Sequence, residues 1–197
     1  LHTTKPQLVL ASTSPYRRAL LEKLQVAFIV ANPKVDETPL LGETPACTSL
    51  RLAELKAQAV ALDFPNALII GSDQVATLNG NHIGKPGNHE NAVKQLQTMR
   101  GNCIIFHTAV SLYNSATGKL QSQIVPTSVT IRHLSDDQIH GYLHKEQPYQ
   151  CAGSAKSEAM GIAIMEKMEG TDPNALIGLP LIALTKMLMN EGWDILL

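Results

Sequence analysis

Leu8-Val-Leu-Ala-Ser-Thr-Ser-Pro-Tyr-Arg-Arg18 reads as a strand, a turn and the first turn of a helix, which places the chain in the α/β class. Leu8 to Ala11 is a short apolar run of the kind that forms a buried strand. Ser12-Thr13-Ser14 is small and polar and suits a tight turn. Pro15 fits the first helical position, with Ser14 as the N-cap before it. Leu20, Leu21 and Leu24 then lie on one helical stripe. Arg17 and Arg18 break a local rule, because the helix dipole disfavours cations in the first turn by roughly 0.3–1 kcal/mol each. One reading is an external anion held by the turn's N–H groups, the Ser12 and Ser14 hydroxyls and the arginines. The other is two solvated arginines.

The 197 residues suffice for one α/β domain, or one domain built as two lobes. A hydrophobic content of 44% is ordinary for a globular chain. Lys and Arg number 16 against 17 Asp and Glu, for a net charge of −1, which argues against a broad nucleic-acid or anionic-membrane surface. Aromatics at 4% are too few for a base-stacking platform. Cys47, Cys103 and Cys151 form neither a disulfide framework nor a metal knuckle. No apolar run approaches the roughly 18 residues of a membrane helix, and no signal-peptide pattern is present, so a cytoplasmic location is expected. The sequence begins at Leu1 rather than Met, and residues 1–5 are expected to be partly foreign or disordered.

Further along, Val26 to Val30 reads as a second strand. The loop Val35-Asp36-Glu37-Thr38-Pro39 carries two adjacent acids, either solvated or ligands for a hard metal. Thr44-Pro45 opens a long helix to about Leu62, with Arg51 and Lys56 among its charges. Leu68-Ile69-Ile70 is a buried strand, and Gly71-Ser72-Asp73-Gln74 follows at or near its C-terminal end. Ligands of open α/β sheets bind outside such ends, so Asp73 is a candidate general base or metal ligand, or else a turn cap. Asn79-Gly80 signals a hairpin returning to Gly84-Lys85-Pro86. The run from Gly80 to Lys85 is not a phosphate loop, since its spacing is short and Pro86 replaces the hydroxyl residue.

Glu90 to Met99 reads as a helix, and Gly101–Tyr113 with Leu120–Arg132 as a long hairpin. Ser135 caps a helix to about Lys145. His140 and His144 on it are four apart. With no third ligand near them in sequence, they read as a helix-surface pair. Cys151 to Glu158 is a small-residue loop, Gly161 to Glu166 a strand, and the last helix starts near Leu176 or Leu181. No repeat or long linker divides residues 1–197 into independent domains.

Ser12-Thr-Ser-Pro-Tyr-Arg-Arg18, Val35-Asp-Glu37, Arg51-Leu-Ala53 with Lys56-Ala57, Gly71-Ser-Asp-Gln74, Gly84-Lys-Pro86 and Ile177-Gly-Leu-Pro180 fall in one order along the chain. As an ordered set, from about Gln7 to Glu191, they resemble the Maf family of nucleotide pyrophosphatases. Tyr16, Asp73-Gln74 and Cys151-Ala-Gly-Ser-Ala-Lys-Ser-Glu158 are closest to the branch that hydrolyses 7-methyl-GTP. That branch often has Trp at the place of Tyr16 and Gly where this chain has Ala159.

The resemblance implies a mixed, highly twisted sheet flanked by helices, with two lobes and a central cleft. It also implies cleavage between α- and β-phosphates, a divalent cation (Mg²⁺ or Mn²⁺) and a homodimer. On that reading Ser12, Ser14, Arg17, Lys56 and Lys85 bind phosphates, and Glu37, with Asp73 as an alternative, ligates the metal. Asp73 would take the proton from the attacking water. Tyr16 would offer an aromatic face to the cationic methylated base, and Glu158 would accept from guanine N1–H and the 2-amino group, with Gln74 as a further mark of base selection. Two other readings stay open: a dTTP/UTP pyrophosphatase of the same family, and a nucleotide-binding regulator of septum formation or growth.

Overall fold

Strand β1 (Gln7–Ala11) is the pivot of the architecture, which a computed structural model describes for residues 5–197. The expectation for the first residues falls on 1–4, outside the described range, except for Lys5. The Lys5 ammonium lies 5.5 Å from the centroid of the Trp193 ring. Leu8 to Ala11 are buried on both faces of β1, as a strand with parallel neighbours on either side must be. Strand β2 (Ile29–Ala31) and strand β3 (Ala67–Leu78) both pair with it in parallel, Val9 opposite Ile29 on one side and Ile69 on the other.

Helix α1 (Pro15–Glu22) connects β1 to β2, and helix α2 (Pro45–Ala59) connects β2 back across β1 to β3. Right-handed crossovers in opposite directions put the two helices on opposite faces. The alternation of β1 side chains agrees. Leu8 and Leu10 pack with Leu20 and Leu21 of α1, whereas Val9 and Ala11 pack with Ala57 and Val60 at the end of α2. The first face is completed by helix α5 (Leu181–Asn190), through Leu184, Met187 and Leu188.

The remaining strands are β4 (Asn81–Ile83), β5 (Cys103–Asn114), β6 (Lys119–Ile131) and β7 (Met165–Gly170). Among the described residues the strands form one seven-stranded mixed sheet in the order β2-β1-β3-β5-β6-β7, with β4 paired to β3. This is the mixed, helix-flanked α/β sheet that the sequence leads one to expect. The chain divides into two compact units. Among the described residues the first comprises 5–74, 108–125 and 172–197, and the second 75–107 and 126–171.

In the second unit, β3 turns into β4 through Asn79 and Gly80, at φ 50° and 80°. Two such residues make the tight hairpin that an Asn-Gly pair encodes. Helix α3 (His89–Met99) and helix α4 (Asp136–Glu146) pack on each other. Ser135 caps α4 reciprocally with Gln138, so the predicted start is correct.

Four expected elements are corrected. The second strand is shorter than Val26–Val30, because pairing with β1 begins only at Ile29; Val26 and Phe28 reach the core from the preceding loop. Helix α2 ends at Ala59 rather than near Leu62. Three-residue turns follow it to Phe64, just before Pro65, which disfavours helix in the residue ahead of it. β3 does not stop near Ile70 but runs through Gly71–Gln74 to Leu78. Residues 160–164 are a 3₁₀ turn, not a strand, because Gly161 closes a loop by donating its N–H to the Lys156 carbonyl at 3.0 Å.

Candidate active site

The parallel part of β3 ends where β1 ends, since the last β1–β3 pair is Leu10 with Ile70. Beyond it, Gly71, Ser72 and Asp73 continue along β3 without that neighbour. β1 and β3 connect away from each other at this point, which is the switch point where α/β sheets place ligands. Asp73 therefore sits mid-strand yet just past the carboxyl end of the parallel segment. The turn Ser12–Ser14 leaves β1 at the same level.

Gly71 lets α2 come in close. A Cβ on it would overlap the Ala53 carbonyl and lie 2.7 Å from the Ala57 nitrogen. That approach brings Lys56, on the buried side of α2, to Asp73. The Lys56 ammonium donates to Asp73 Oδ1 at 2.8 Å and pairs with Glu37 Oε1 at 2.7 Å. Lys56 and Asp73 are 5% and 7% exposed, so their pair is formed largely out of water. The two acids of the 35–39 loop have separate tasks. Asp36 Oδ1 accepts from the Thr38 N–H (2.9 Å) and hydroxyl (2.6 Å), which makes a turn and holds its carboxyl below the usual range. Glu37 is the one that reaches Lys56.

Glu43, which the sequence reading passed over, fixes that loop. It takes two hydrogen bonds from Arg51, at 2.6 and 2.8 Å, and Arg51 also donates to the Thr38 carbonyl at 3.2 Å. The forked contact with Arg51 holds the Glu43 carboxyl down to about 2. Its only signal in the sequence is an acid just before the Thr44 N-cap.

The two arginines of α1 also separate. Arg18 is exposed and pairs with Glu22 at 2.9 Å, one turn on. Arg17 turns inward, and its Nε donates to the Gly178 carbonyl at 2.8 Å. Burial lowers its pKa, against the fields of Asp73 and Glu37, which raise it. Ser14 caps α1 through the Arg17 N–H (3.4 Å), and buried Ser12 accepts from the Ser14 N–H (3.2 Å), so both hydroxyls shape the turn. Tyr16 is half-buried on the same helix.

The Gly178 carbonyl is a second anchor that the sequence reading did not single out as a site residue. Besides Arg17 it faces the Ser72 hydroxyl at 2.8 Å, and Gly178 has φ +130°, a region closed to most side chains. Gln74 holds the segment before it. Its Nε2 faces the carbonyls of Ala175 (3.1 Å) and Leu176 (2.9 Å) and the Thr108 hydroxyl (2.8 Å). The amide that marks the expected base selection is thus turned to backbone.

Lys85 and Glu158 belong to the second unit. Lys85 is exposed in a braced loop, in which Gly84 O accepts from Gln95 Nε2 (2.9 Å) and Gly87 N–H donates to Tyr149 O (2.9 Å). Glu158 is exposed in the turn after Lys156. Glu146 of α4 holds that turn by pairing with the Lys156 ammonium (2.8 Å) and accepting from the Met160 N–H (3.0 Å). Ala159 has φ −133°, so the turn makes no demand for glycine there.

Within the first unit, then, Arg17, Lys56, Glu37 and Asp73 form one cluster of balanced charge. The donor set suits a hard divalent ion: two carboxylates already converge on one cationic point, and oxygen ligands are what Mg²⁺ and Mn²⁺ prefer.

The switch point of this α/β sheet thus carries paired acids, a buried lysine and a serine-capped turn with an inward arginine. The chain belongs to the Maf-like protein family, whose profile matches residues 7–191. It is 60% identical over 191 residues to the 7-methyl-GTP pyrophosphatase of Methylobacillus flagellatus, covering 97% of this chain and all of that protein. It is 61% identical over 193 residues to the protein of that name from Thiobacillus denitrificans, covering 98% and 96% of the two chains. The Ralstonia nicotianae protein so named is 56% identical over 191 residues, with 97% and 98% covered. Among the described residues no helix is long and apolar enough to cross a membrane.

Proposed function

We propose that this chain hydrolyses 7-methyl-GTP to 7-methyl-GMP and pyrophosphate, removing a modified nucleotide from the pool. The observation that carries the reading is near full-length identity of 54–61% to relatives of that name, with the acid–lysine–acid cluster lying at the switch point.

Water attacks the α-phosphorus, its proton passes to Asp73, and the α–β anhydride bond breaks to release pyrophosphate. Lys56 fixes the Asp73 carboxylate and screens its charge from the approaching triphosphate. Arg17, the Ser12–Ser14 turn and Lys85 supply cations and donors for phosphate oxygens. Glu37 and Asp73 would hold Mg²⁺ or Mn²⁺, which neutralises phosphate charge when bound. Tyr16 offers its ring to the cationic base, Glu158 accepts from the guanine edge, and Gln74 acts through the 175–178 segment it anchors. A cytoplasmic homodimer is part of the same proposal.

The test is pyrophosphate release from 7-methyl-GTP, GTP, dTTP, UTP and CTP with Mg²⁺ or Mn²⁺, wild type beside Asp73→Asn. Loss of a catalytic base lowers rates by about 10²–10⁴-fold, so Asp73→Asn is expected to bind substrate while nearly losing turnover. Undiminished turnover in the variant would sink the assignment of the base. Turnover of dTTP and UTP alone would move the chain to the other branch, and no turnover at all would favour a nucleotide-binding regulator.

A further inference from the structure

Histidines 140 and 144 do have a third partner. It is His89, at the start of α3, which lies 51 positions before His140 in sequence. The three rings gather on one side of the α3–α4 pair, with centroid separations of 5.4 Å (His89–His140), 4.9 Å (His89–His144) and 6.4 Å (His140–His144). One nitrogen from each lies within 4.8 Å of the others, and this is the one such trio of potential metal ligands found among the described residues.

We propose that His89, His140 and His144 form a binding site for a divalent transition-metal ion such as Zn²⁺, separate from the phosphate-handling cluster. This proposal does not rest on the hydrolase reading. Two imidazole nitrogens on one tetrahedral ion, at roughly 2.0–2.1 Å each, stand about 3.3 Å apart. His89 Nε2 and His140 Nδ1 are 3.2 Å apart. His144 is exposed on the next turn of α4, with its ring stacked on that of His89 at an interplanar angle of 28°, and a rotation of this exposed ring turns a nitrogen toward the ion.

The His89 Nδ1 lies 3.0 Å from the Tyr149 hydroxyl. In the tautomer that donates from Nδ1 to that oxygen, the Nε2 lone pair is left for an ion beside His140. Metal-bound histidines characteristically donate from their second ring nitrogen to an oxygen acceptor, the place that the Tyr149 hydroxyl would take here. Three neutral imidazoles with an open fourth position suit Zn²⁺, Co²⁺, Ni²⁺ or Cu²⁺ and are poor ligands for Mg²⁺. Bound there, the ion would clip α3 to α4 close to the Lys85 loop.

The experiment is calorimetric titration of Zn²⁺ into the untagged, chelator-treated full chain. The comparison proteins are His140→Ala/His144→Ala, Tyr149→Phe and Asp73→Asn. Wild type and Asp73→Asn are expected to bind one ion equally well, with excess Mg²⁺ present. The double variant should bind at least about tenfold more weakly, and Tyr149→Phe about 10–100-fold more weakly through its outer-shell hydrogen bond. Co²⁺ should give the intense visible bands of a four-coordinate site in wild type and not in the double variant. Both altered histidines are exposed, and circular dichroism is the check that each variant folds. An isotherm unchanged in the double variant, or one lost in Asp73→Asn, would overturn the assignment.

Discussion

Replacing Lys56 by Met tests the centre of the site. Methionine keeps most of the apolar stem and deletes the ammonium that joins Asp73 to Glu37. The Glu37 side chain is 61% exposed and turns to water with little penalty. Asp73 is 7% exposed and has no such escape. Removing one member of a buried pair typically costs about 3–5 kcal/mol, because the other charge is left without its partner. Lys56→Met is therefore expected to lower the unfolding free energy by about 3–5 kcal/mol. Lys56→Met/Asp73→Asn should recover at least about 1.5 kcal/mol of that, since an amide needs no counter-charge, and contacting residues couple by up to about 3 kcal/mol. Equilibrium urea unfolding, followed through the fluorescence of the single Trp193, measures all four corners of the cycle; equal m-values license the comparison. Losses that simply add, within about 0.5 kcal/mol, would refute the reasoning and reduce the ion pair to a surface contact.

Three further outcomes are expected. The Glu43 carboxyl is held near 2 in the folded chain, against an ordinary 4.5, so its contribution to stability is complete above about pH 4.5 and disappears as pH falls toward 2. Acid unfolding of Glu43→Gln should accordingly have a flatter stability profile between roughly pH 5 and 2 than wild type, and parallel profiles would argue against the Arg51 pairing. Gly178→Ala forces a side chain into φ +130°, a strain on the order of 1–3 kcal/mol, and should lower both the melting temperature and turnover by disturbing the carbonyl that Arg17 and Ser72 share. Glu158→Gln should reduce hydrolysis of 7-methyl-GTP more than that of UTP, and an equal loss on both substrates would remove Glu158 from base recognition.

The opening β–turn–α was readable from Leu8–Arg18 because each signal there is local: an apolar run, a Ser N-cap and a proline at the first helical position. The Asn79-Gly80 hairpin and the Ser135 cap were legible for the same reason. Local signals fail where the partners are distant. Nothing within Leu68–Gln74 announces that the buried strand and the arm of the Asn79-Gly80 hairpin are one continuous β3, because Gly71–Gln74 carries turn-like residues between them. Gly161 looked like the start of a strand, since its tight approach to Lys156 is invisible without the fold. Among site residues, Asp73, Lys56 and Glu37 were named from sequence, yet their mutual contact was not. Gly178 stands in a quoted motif, but its role as a carbonyl anchor has no local sign, and neither does the loop clasp of Glu43 or the third histidine, His89.

Gly71 ties the local geometry of the fold to the tolerance of the protein for change. A helix and a strand usually meet through interleaved side chains, and such an interface can drift as those side chains are exchanged. Here the α2 backbone rests directly on β3 at one position, with the Ala53 carbonyl where a methyl group would be. That contact has no adjustable filling, so it acts as a mechanical stop that sets how far the Lys56 ammonium stands from Asp73. Drift elsewhere in the core leaves this distance in place, whereas the smallest enlargement at residue 71 changes it. The spacing of the charged centre is therefore set by a backbone contact and not by exchangeable side chains.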